Sequence, residues 1–329
     1  PKINSYFADF AGWSGSERDD ARLVAAHIGS SHQIEEIKSV DIDSDEARSS
    51  AGVFDAFDEP IGDAAIVPTW YLSRAIRRHV KVALSRDGGD ELFAGYNRYE
   101  RIHASPRRHL AWTVERLRRQ VGVGRQWPEG CADADEYYRF LMFPSFAAAE
   151  LCALFPQWSG EVMALSQKRE PKHFSTRDWQ LLDLDTYLVD NNLARMDRGS
   201  MAHGLEVRVP ILDHRLVELA LSLPEQFNSA ANRGKMLLRT IARSRLPASI
   251  LTKPKQGFSF PLERFISAGT MKHAVATGEL VKSGIIDRSA LKVWLNAANG
   301  AHHNLKLWLL YVLEQWARRW LFVIPKVAA

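Results

Sequence analysis

Strand-like and helix-like patterns alternate over the first 85 residues, and this alternation constrains the fold more than any other feature. INSYFADF (3–10) and HQIEEIKSV (32–40) predict strands, with a helix over ERDDARLVAAHIG (17–29) between them. IVPTWYLSRAIRRHV (66–80) predicts a second helix, and VKVALS (80–85) a short buried strand. This order predicts an α/β fold with a doubly wound parallel sheet, in which ligands bind beyond the carboxyl ends of the strands.

Strand patterns disappear from about residue 97, and helical patterns take their place. The helical patterns lie near 107–120, 133–154, 176–205, 213–222, 233–244 and 304–322. We therefore predict one continuous unit with two parts: an α/β nucleotide-binding part over residues 1–100 and a largely helical part over residues 101–329.

Composition excludes several function classes. The 329 residues are 46% hydrophobic, enough for one large or two medium domains. A net charge of +4, with arginines in no known nucleic-acid motif, predicts no nucleic-acid partner. The apolar stretch 307–324 is interrupted by charges and predicts an amphipathic helix rather than a membrane span. Two cysteines outside any C-x-x-C pair, and no recognised N-terminal signal, indicate a cytoplasmic location.

The segment SRDGGDE (85–91), directly after the last predicted strand, carries the strongest chemical signal. Gly88 and Gly89 allow backbone N–H groups to approach an anion closely. Asp90 and Glu91 offer hard oxygen ligands, and Mg²⁺ is usually held by carboxylates together with phosphates. The segment therefore predicts a nucleotide–metal site, with a purely structural turn as the alternative.

A glycine-glycine-acid-glutamate sequence also occurs in the β-hairpin of diguanylate cyclases. Those domains add an upstream aspartate, a phenylalanine-lysine pair and an asparagine-aspartate pair, whereas VDIDSDEARSS (40–50) offers only aspartates. LFAGYNRYERI (92–102) predicts a turn and a helix after the glycines, rather than a strand. The cyclase is therefore a distant alternative.

Four segments, one of which contains SRDGGDE, resemble one family, the synthetase domain of the glutamine-dependent asparagine synthetases. They are DEPIGDAAIVPTWYLSRAIRRHVKVALS (58–85), LSRDGGDELFAGYNRY (84–99), RMDRGSMAHGLEVRVPILDHRLVELALSLPEQF (195–227) and KMLLRTIARSRLPASILTKPKQGFSFPLERF (235–265). The resemblance covers nearly the whole chain in order. It implies a fold of the ATP-pyrophosphatase (adenine nucleotide α-hydrolase-like) type, followed by helices.

The resemblance implies an ATP-dependent, amide-forming ligase that uses Mg²⁺. ATP adenylates a carboxylate, usually the aspartate side chain, pyrophosphate leaves, and ammonia derived from glutamine attacks the adenylate. By resemblance, Asp90 is the Mg²⁺ ligand and Lys255 touches the α-phosphate. Asp87 occupies the position of an acid that handles the amine step or the substrate.

The same resemblance implies the nucleotide contacts. Ser85, Arg86 and Gly88 are expected around the phosphates, and Phe7 and Ala8 against the adenine. Arg86 departs from the family pattern, which usually has a glycine there. Its cation could aid phosphate binding, or its bulk could crowd the nucleotide.

Substrate-binding candidates are weaker. Glu206 and Arg208 are either a paired acid and base near the substrate or a structural ion pair. Asp197 and Arg198 are further candidates, and Asp213 is expected to cap a helix.

Two family features are not recognised in the chain: the glutaminase domain with its cysteine nucleophile, and the Ser-Gly-Gly-x-Asp-Ser pyrophosphate loop. We therefore expect these residues alone to be incomplete, with the glutaminase domain upstream or in another chain, and we allow for a homodimer. Two alternatives stay open: a relative that forms a β-lactam or macrolactam, and a remnant of the fold that no longer catalyses.

Overall fold

The computed structural model describes residues 2–10, 12–13, 15–37, 52–102, 114, 117, 146–166, 175–227, 229–230, 233–253, 261–262, 266–297 and 301–321. Lys255, the helical pattern near 107–120 apart from two residues, and most of the pattern over 133–154 lie outside this part of the chain. None of the described helices combines the length and apolar character that a bilayer span requires.

The N-terminal strand, helix and second strand form as predicted. β1 (Asn4–Phe10) and β2 (Ser31–Ile37) pair in parallel, with Phe7 opposite Ile34. They are joined by α1 (Arg18–Ile28), which ends because Gly29 adopts a left-handed conformation with φ of 72°.

The second helix and third strand also form where the sequence pattern places them, but the prediction that the third strand is buried is wrong, because Val82 is 41% exposed and Leu84 is 70% exposed. α2 (Ile66–Arg77) is buried along most of its length, and Val67 has no exposed surface. Pro68 is tolerated because it lies in the first turn, where backbone N–H groups have no partner within the helix. β3 (Val82–Leu84) follows and ends at the SRDGGDE segment.

The prediction that strands end near residue 97 is wrong. β4 (Glu206–Arg208) pairs in parallel with β3, with Leu84 opposite Arg208. Two short strands, β5 (Ser229–Ala230) and β6 (Arg233–Gly234), form an antiparallel pair. Each of these strands has only two or three residues, too few for an alternating pattern to appear in the sequence.

Parallel pairing is therefore observed, in two separate two-stranded sheets among the described residues. A larger doubly wound sheet stays a prediction, as does the division of the chain near residue 100. The β3–β4 pair joins residues from both sides of that predicted division.

Helices dominate the rest of the described chain. They are α3 (Gly89–Leu92), α4 (Asn97–Ile102), α5 (Ala148–Leu154), α6 (Ser159–Ser166), α7 (Thr176–Asp183), α8 (Ala194–Met201), α9 (His214–Ser222), α10 (Met236–Ala242), α11 (Ala248–Leu251), α12 (Ala268–Ala276), α13 (Glu279–Lys282), α14 (Arg288–Ala297) and α15 (Ala301–Trp316). A π-helical segment, Leu184–Leu193, joins α7 to α8, and a second one, Ala317–Leu321, extends α15.

The largest hydrophobic core lies between β1, α2 and α15. Phe10, Val67 and Trp308 are all buried in it. The Trp308 indole also donates a hydrogen bond to the Gly62 carbonyl at 2.8 Å. The apolar face of α15 therefore holds the segment that leads into α2, as expected for a core-facing helix.

Candidate functional site

The SRDGGDE segment forms a loop between a strand and a helix. The Ser85 N–H donates to the Arg208 carbonyl at 2.9 Å, so the loop starts where β3 and β4 both end. Gly88 has φ of 85°, and a Cβ added there would lie 2.3 Å from Cδ2 of Leu212. The positive φ and the close approach of Leu212 both favour glycine at this position. The loop is followed by α3 and α4, which is not the β-hairpin that a diguanylate cyclase requires.

Asp87 is held at both of its carboxylate oxygens. The Ser85 hydroxyl donates to Oδ2 at 2.7 Å, and Nη2 of Arg195 lies 3.5 Å from Oδ1. Arg195 is buried, and its Nη1 lies 3.6 Å from Oδ2 of Asp63. Arg195 therefore bridges two carboxylates from different parts of the chain.

Asp90 is half-buried and lies beside Lys235, with 3.0 Å between Oδ2 and Nζ. Gly95 permits this close packing, because a Cβ added there would lie 2.1 Å from Oδ1 of Asp90. The Lys235 N–H donates to the Phe93 carbonyl at 2.8 Å, which ties the lysine to the end of the loop. Lys235 was not predicted as a site residue from the sequence, although it is the first residue of one of the segments that resemble the family.

Glu91 points away from Asp90 and into the protein. Its side chain is almost fully buried and accepts hydrogen bonds from the Tyr96 hydroxyl at 2.7 Å and from the Asn192 amide at 3.1 Å. Burial raises the pKa of this carboxyl. Glu91 as a second metal ligand stays a prediction, and its Oε1 already accepts from two protein donors.

A buried ion pair holds the helix that follows the loop. Nη2 of Arg98 lies 2.7 Å from Oδ2 of Asp183, and the Tyr99 hydroxyl donates to the same oxygen. The Arg98 guanidinium also lies over the Tyr96 ring, 3.5 Å from its centroid. These contacts join α4 to α7 and fix the residues that follow the glycines.

Glu206 and Arg208 pair with each other at 2.8 Å on β4, next to the start of the loop. Both side chains are exposed, so the geometry is compatible with either predicted role. Arg198 lies 2.7 Å from Asp58 and 3.5 Å from Asp197, at the exposed side of α8. The structure thus places Arg198 and Asp197 in an ion-pair cluster with the segment that leads into α2.

Asp213 caps α9, as predicted, and its carboxylate accepts from the Arg215 N–H at 3.0 Å. Hydrogen bonds from Arg215 lower the pKa of Asp213 to about 2. Phe7 and Ala8 lie on β1, with Ala8 in the hydrophobic core and Phe7 half-buried. Their contact with adenine stays a prediction. Arg86 is exposed at the loop.

The described residues contain no group of three or more His, Cys, Asp or Glu side chains that could hold a metal ion unaided. A site for Mg²⁺ needs fewer protein ligands, because this ion is commonly bound by one or two carboxylates together with substrate phosphates. Asp90 has the required hard oxygens and is half-buried at the loop. The donor set therefore fits an ion that arrives with a nucleotide.

Comparisons with known proteins identify the family of this chain. The family model for asparagine synthase matches residues 1–318. A Mycobacterium tuberculosis H37Rv protein provisionally named a glutamine-hydrolysing asparagine synthetase is 29% identical over 96% of this chain and 50% of its own length. The glutamine-hydrolysing asparagine synthetase 1 of Bacillus subtilis is 25% identical over 96% of this chain and 52% of its own length.

A shorter match has a higher sequence identity. The human glutamine-hydrolysing asparagine synthetase is 47% identical over 78 residues, which are 23% of this chain and 14% of its own length. The chain spans about half the length of the two bacterial relatives. The family match covers almost all of the residues, so the chain belongs to the asparagine synthase family.

Proposed function

We propose that this chain carries the amide-forming site of an ATP-dependent ligase that converts aspartate to asparagine. The observation that carries the proposal is the loop at the ends of β3 and β4, which presents Asp87 and Asp90 beside Arg195 and Lys235. Phosphate chemistry needs cations and a carboxylate for the metal, and the amine step needs a proton acceptor. Both kinds of group are gathered here.

In the first step, a side-chain carboxylate oxygen of aspartate attacks the α-phosphorus of ATP. The bond between the α-phosphorus and the oxygen that bridges to the β-phosphate breaks, and pyrophosphate leaves with that electron pair. Asp90 would hold Mg²⁺, which neutralises charge on the phosphates when it is bound. Lys235 and Lys255 would stabilise negative charge on the phosphate oxygens.

In the second step, ammonia attacks the acyl carbon of the aspartyl adenylate. The new carbon–nitrogen bond forms, the nitrogen gives up a proton, and AMP leaves with the electron pair of the acyl–oxygen bond. Asp87 is the carboxylate that would accept this proton, because Ser85 and Arg195 hold it in one orientation. Ser85, Arg86 and Gly88 would line the phosphates, and Phe7 and Ala8 the adenine.

The source of ammonia belongs to the same proposal. The relatives are named as glutamine-hydrolysing, and this chain matches about half of each bacterial one. We propose that a glutaminase unit supplies the ammonia, either in the same protein or in a partner.

Pyrophosphate release from Mg²⁺-ATP tests the proposal, measured with and without aspartate and ammonium. The assay uses this chain and the full-length gene product. We expect pyrophosphate release that depends on aspartate. We expect the rate of release to fall about a hundredfold or more in Asp90→Asn, because Mg²⁺ on the phosphates loses its protein ligand. Asp185→Asn, an exposed aspartate in the π-helical segment, is the matched control and should keep full activity.

Two results would replace the proposal. Release that responds to a carboxylate with an internal amine, and not to aspartate, would indicate a lactam-forming relative. No release together with no binding of Mg²⁺-ATP would indicate a remnant of the fold.

A further inference from the structure

We propose that Arg195 is the positioning residue for Asp87, and that Asp63 anchors Arg195 from the opposite side. This inference rests on the proposed function, in which Asp87 accepts the proton of the attacking amine. It adds two residues that act through Asp87 rather than on the substrate.

The guanidinium lies between the two carboxylates. Nη1 is 3.6 Å from Asp63 and Nη2 is 3.5 Å from Asp87, and all three side chains are largely buried, with exposed fractions of 7% for Arg195, 17% for Asp63 and 15% for Asp87. At 3.5 and 3.6 Å the two contacts are ion pairs rather than hydrogen bonds, so the guanidinium attracts both carboxylates by its charge, and its planar shape fixes where that charge lies. Low solvent exposure makes this attraction stronger than it would be at the surface.

Asp63 is itself fixed. Its Oδ1 accepts from the Ala65 N–H at 2.9 Å, and its Oδ2 accepts from the Asn191 amide at 3.1 Å. The preceding residue, Gly62, is held by the Trp308 indole of α15. Asp63 is therefore a rigid anchor for the far end of the guanidinium.

The Nη2 end of the Arg195 guanidinium contacts a single oxygen of the Asp87 carboxylate. Arg195 faces Oδ1, while the Ser85 hydroxyl occupies Oδ2 at 2.7 Å. A carboxylate that is held from two directions keeps one orientation. Proton transfer requires this, because a lone pair of the carboxylate has to point at the proton of the attacking amine. Attack of aspartate on ATP does not use this lone pair, so loss of Arg195 should affect the second step and spare the first.

The test separates the two steps in the full-length gene product. Aspartate-dependent exchange of labelled pyrophosphate into ATP reports adenylate formation, and asparagine production from ammonium reports the amide step. Arg195→Lys keeps the charge and loses the fork, so we expect exchange within about threefold of wild type and a kcat for amide formation about tenfold or more lower. Asp63→Asn, which keeps Arg195, should likewise lower the rate of amide formation and leave the exchange rate nearly unchanged.

Arg177→Lys is the matched control, because Arg177 is a half-buried arginine whose guanidinium binds the Leu223 and Ala220 carbonyls. It should leave both steps within about twofold. In an Asp87→Asn background, Arg195→Lys should cost nothing further, because residues that act through one another are not additive.

Equal losses in exchange and amide formation, or additive losses in the double variant, would overturn the inference. Absence of both reactions in the wild type would instead mean that the proposed function has failed. The positioning of Asp87 is then decided by a crystal structure of Arg195→Lys. We expect the Asp87 carboxylate to have turned, and an unmoved carboxylate would refute the inference.

Discussion

Nζ of Lys235 lies 3.0 Å from Oδ2 of Asp90. The carboxylate that we propose as the Mg²⁺ ligand is thus paired with a cation of the protein itself. A metal ion that binds Asp90 has to compete with this ammonium group, since both are attracted to the same oxygen. We propose that ATP resolves the competition, because its phosphates would give Lys235 a second anionic partner.

Removal of the lysine charge should therefore strengthen metal binding in the absence of nucleotide. We predict that Lys235→Met binds Mn²⁺, used as a paramagnetic substitute for Mg²⁺, about fivefold or more tightly than wild type. Electron paramagnetic resonance of free Mn²⁺ measures this affinity. Lys282→Met, which removes an exposed lysine that pairs with Glu279 at 2.6 Å, should leave it unchanged. Equal affinities in Lys235→Met and wild type would show that the two cations do not compete.

Gly88 should be among the least replaceable residues of the loop. Gly88→Ala combines an unfavourable left-handed conformation with a contact of 2.3 Å to Leu212, so we predict a loss of about 2–4 kcal/mol in the free energy of unfolding. Gly284 is the matched control, because it also has positive φ, at 77°, but a Cβ would meet nothing within 4 Å. Gly284→Ala should cost about 1 kcal/mol.

Urea unfolding of the two glycine variants measures the difference. Equal destabilisation would mean that the contact with Leu212 relaxes without cost.

The ion pair between Arg98 and Asp183 is buried, so removal of one partner should leave an uncompensated charge. We predict that Asp183→Asn lowers the free energy of unfolding by about 3 kcal/mol. The double variant Asp183→Asn with Arg98→Met should be less destabilised than the sum of the single variants, because no buried charge remains unpaired. Additive values in denaturant titrations would contradict this explanation.

His203 should make the stability of the fold depend on pH. Its ring packs edge-on against Trp70, with 4.5 Å between the centroids. Burial, and then the nearby charge of Arg74, lower the pKa of His203 from its ordinary value of 6.5. The folded state therefore binds fewer protons than the unfolded state just below pH 6.5.

The stability that depends on neutral His203 is fully present above pH 6.5, and it is lost as the pH falls through the lower pKa of the folded state. We predict that His203→Gln flattens the fall in the free energy of unfolding between pH 7.5 and about 5, measured by urea unfolding at each pH. An unchanged slope would show that another group causes the acid sensitivity.

The sequence predicted the elements that have a long, clear period. α1 is such an element, and it ends at Gly29 because glycine tolerates positive φ. β4 was missed, since three residues carry no period and only pairing with β3 makes them a strand. The parallel arrangement thus depends on a contact between distant segments that local patterns do not encode.

Some features of the candidate site could likewise be predicted from the sequence, and others could not. The glycine loop was visible in the sequence because its turn needs local residues such as Gly88. The partners Lys235 and Arg195 were not chosen for the site, because their proximity to Asp90 and Asp87 follows from tertiary packing. The divergence of Asp90 and Glu91 was also hidden, since adjacent residues in the first turn of a helix point in different directions.

The central claim is that aspartate is activated as an acyl adenylate, and the fate of its carboxylate oxygen tests this most directly. Aspartate labelled with ¹⁸O in the side-chain carboxylate is incubated with Mg²⁺-ATP, ammonium and the full-length gene product. Mass spectrometry then locates the label. We predict one ¹⁸O atom in AMP, because the attacking oxygen stays on the α-phosphorus when the amide forms. Label in inorganic phosphate, or AMP without label, would contradict the account.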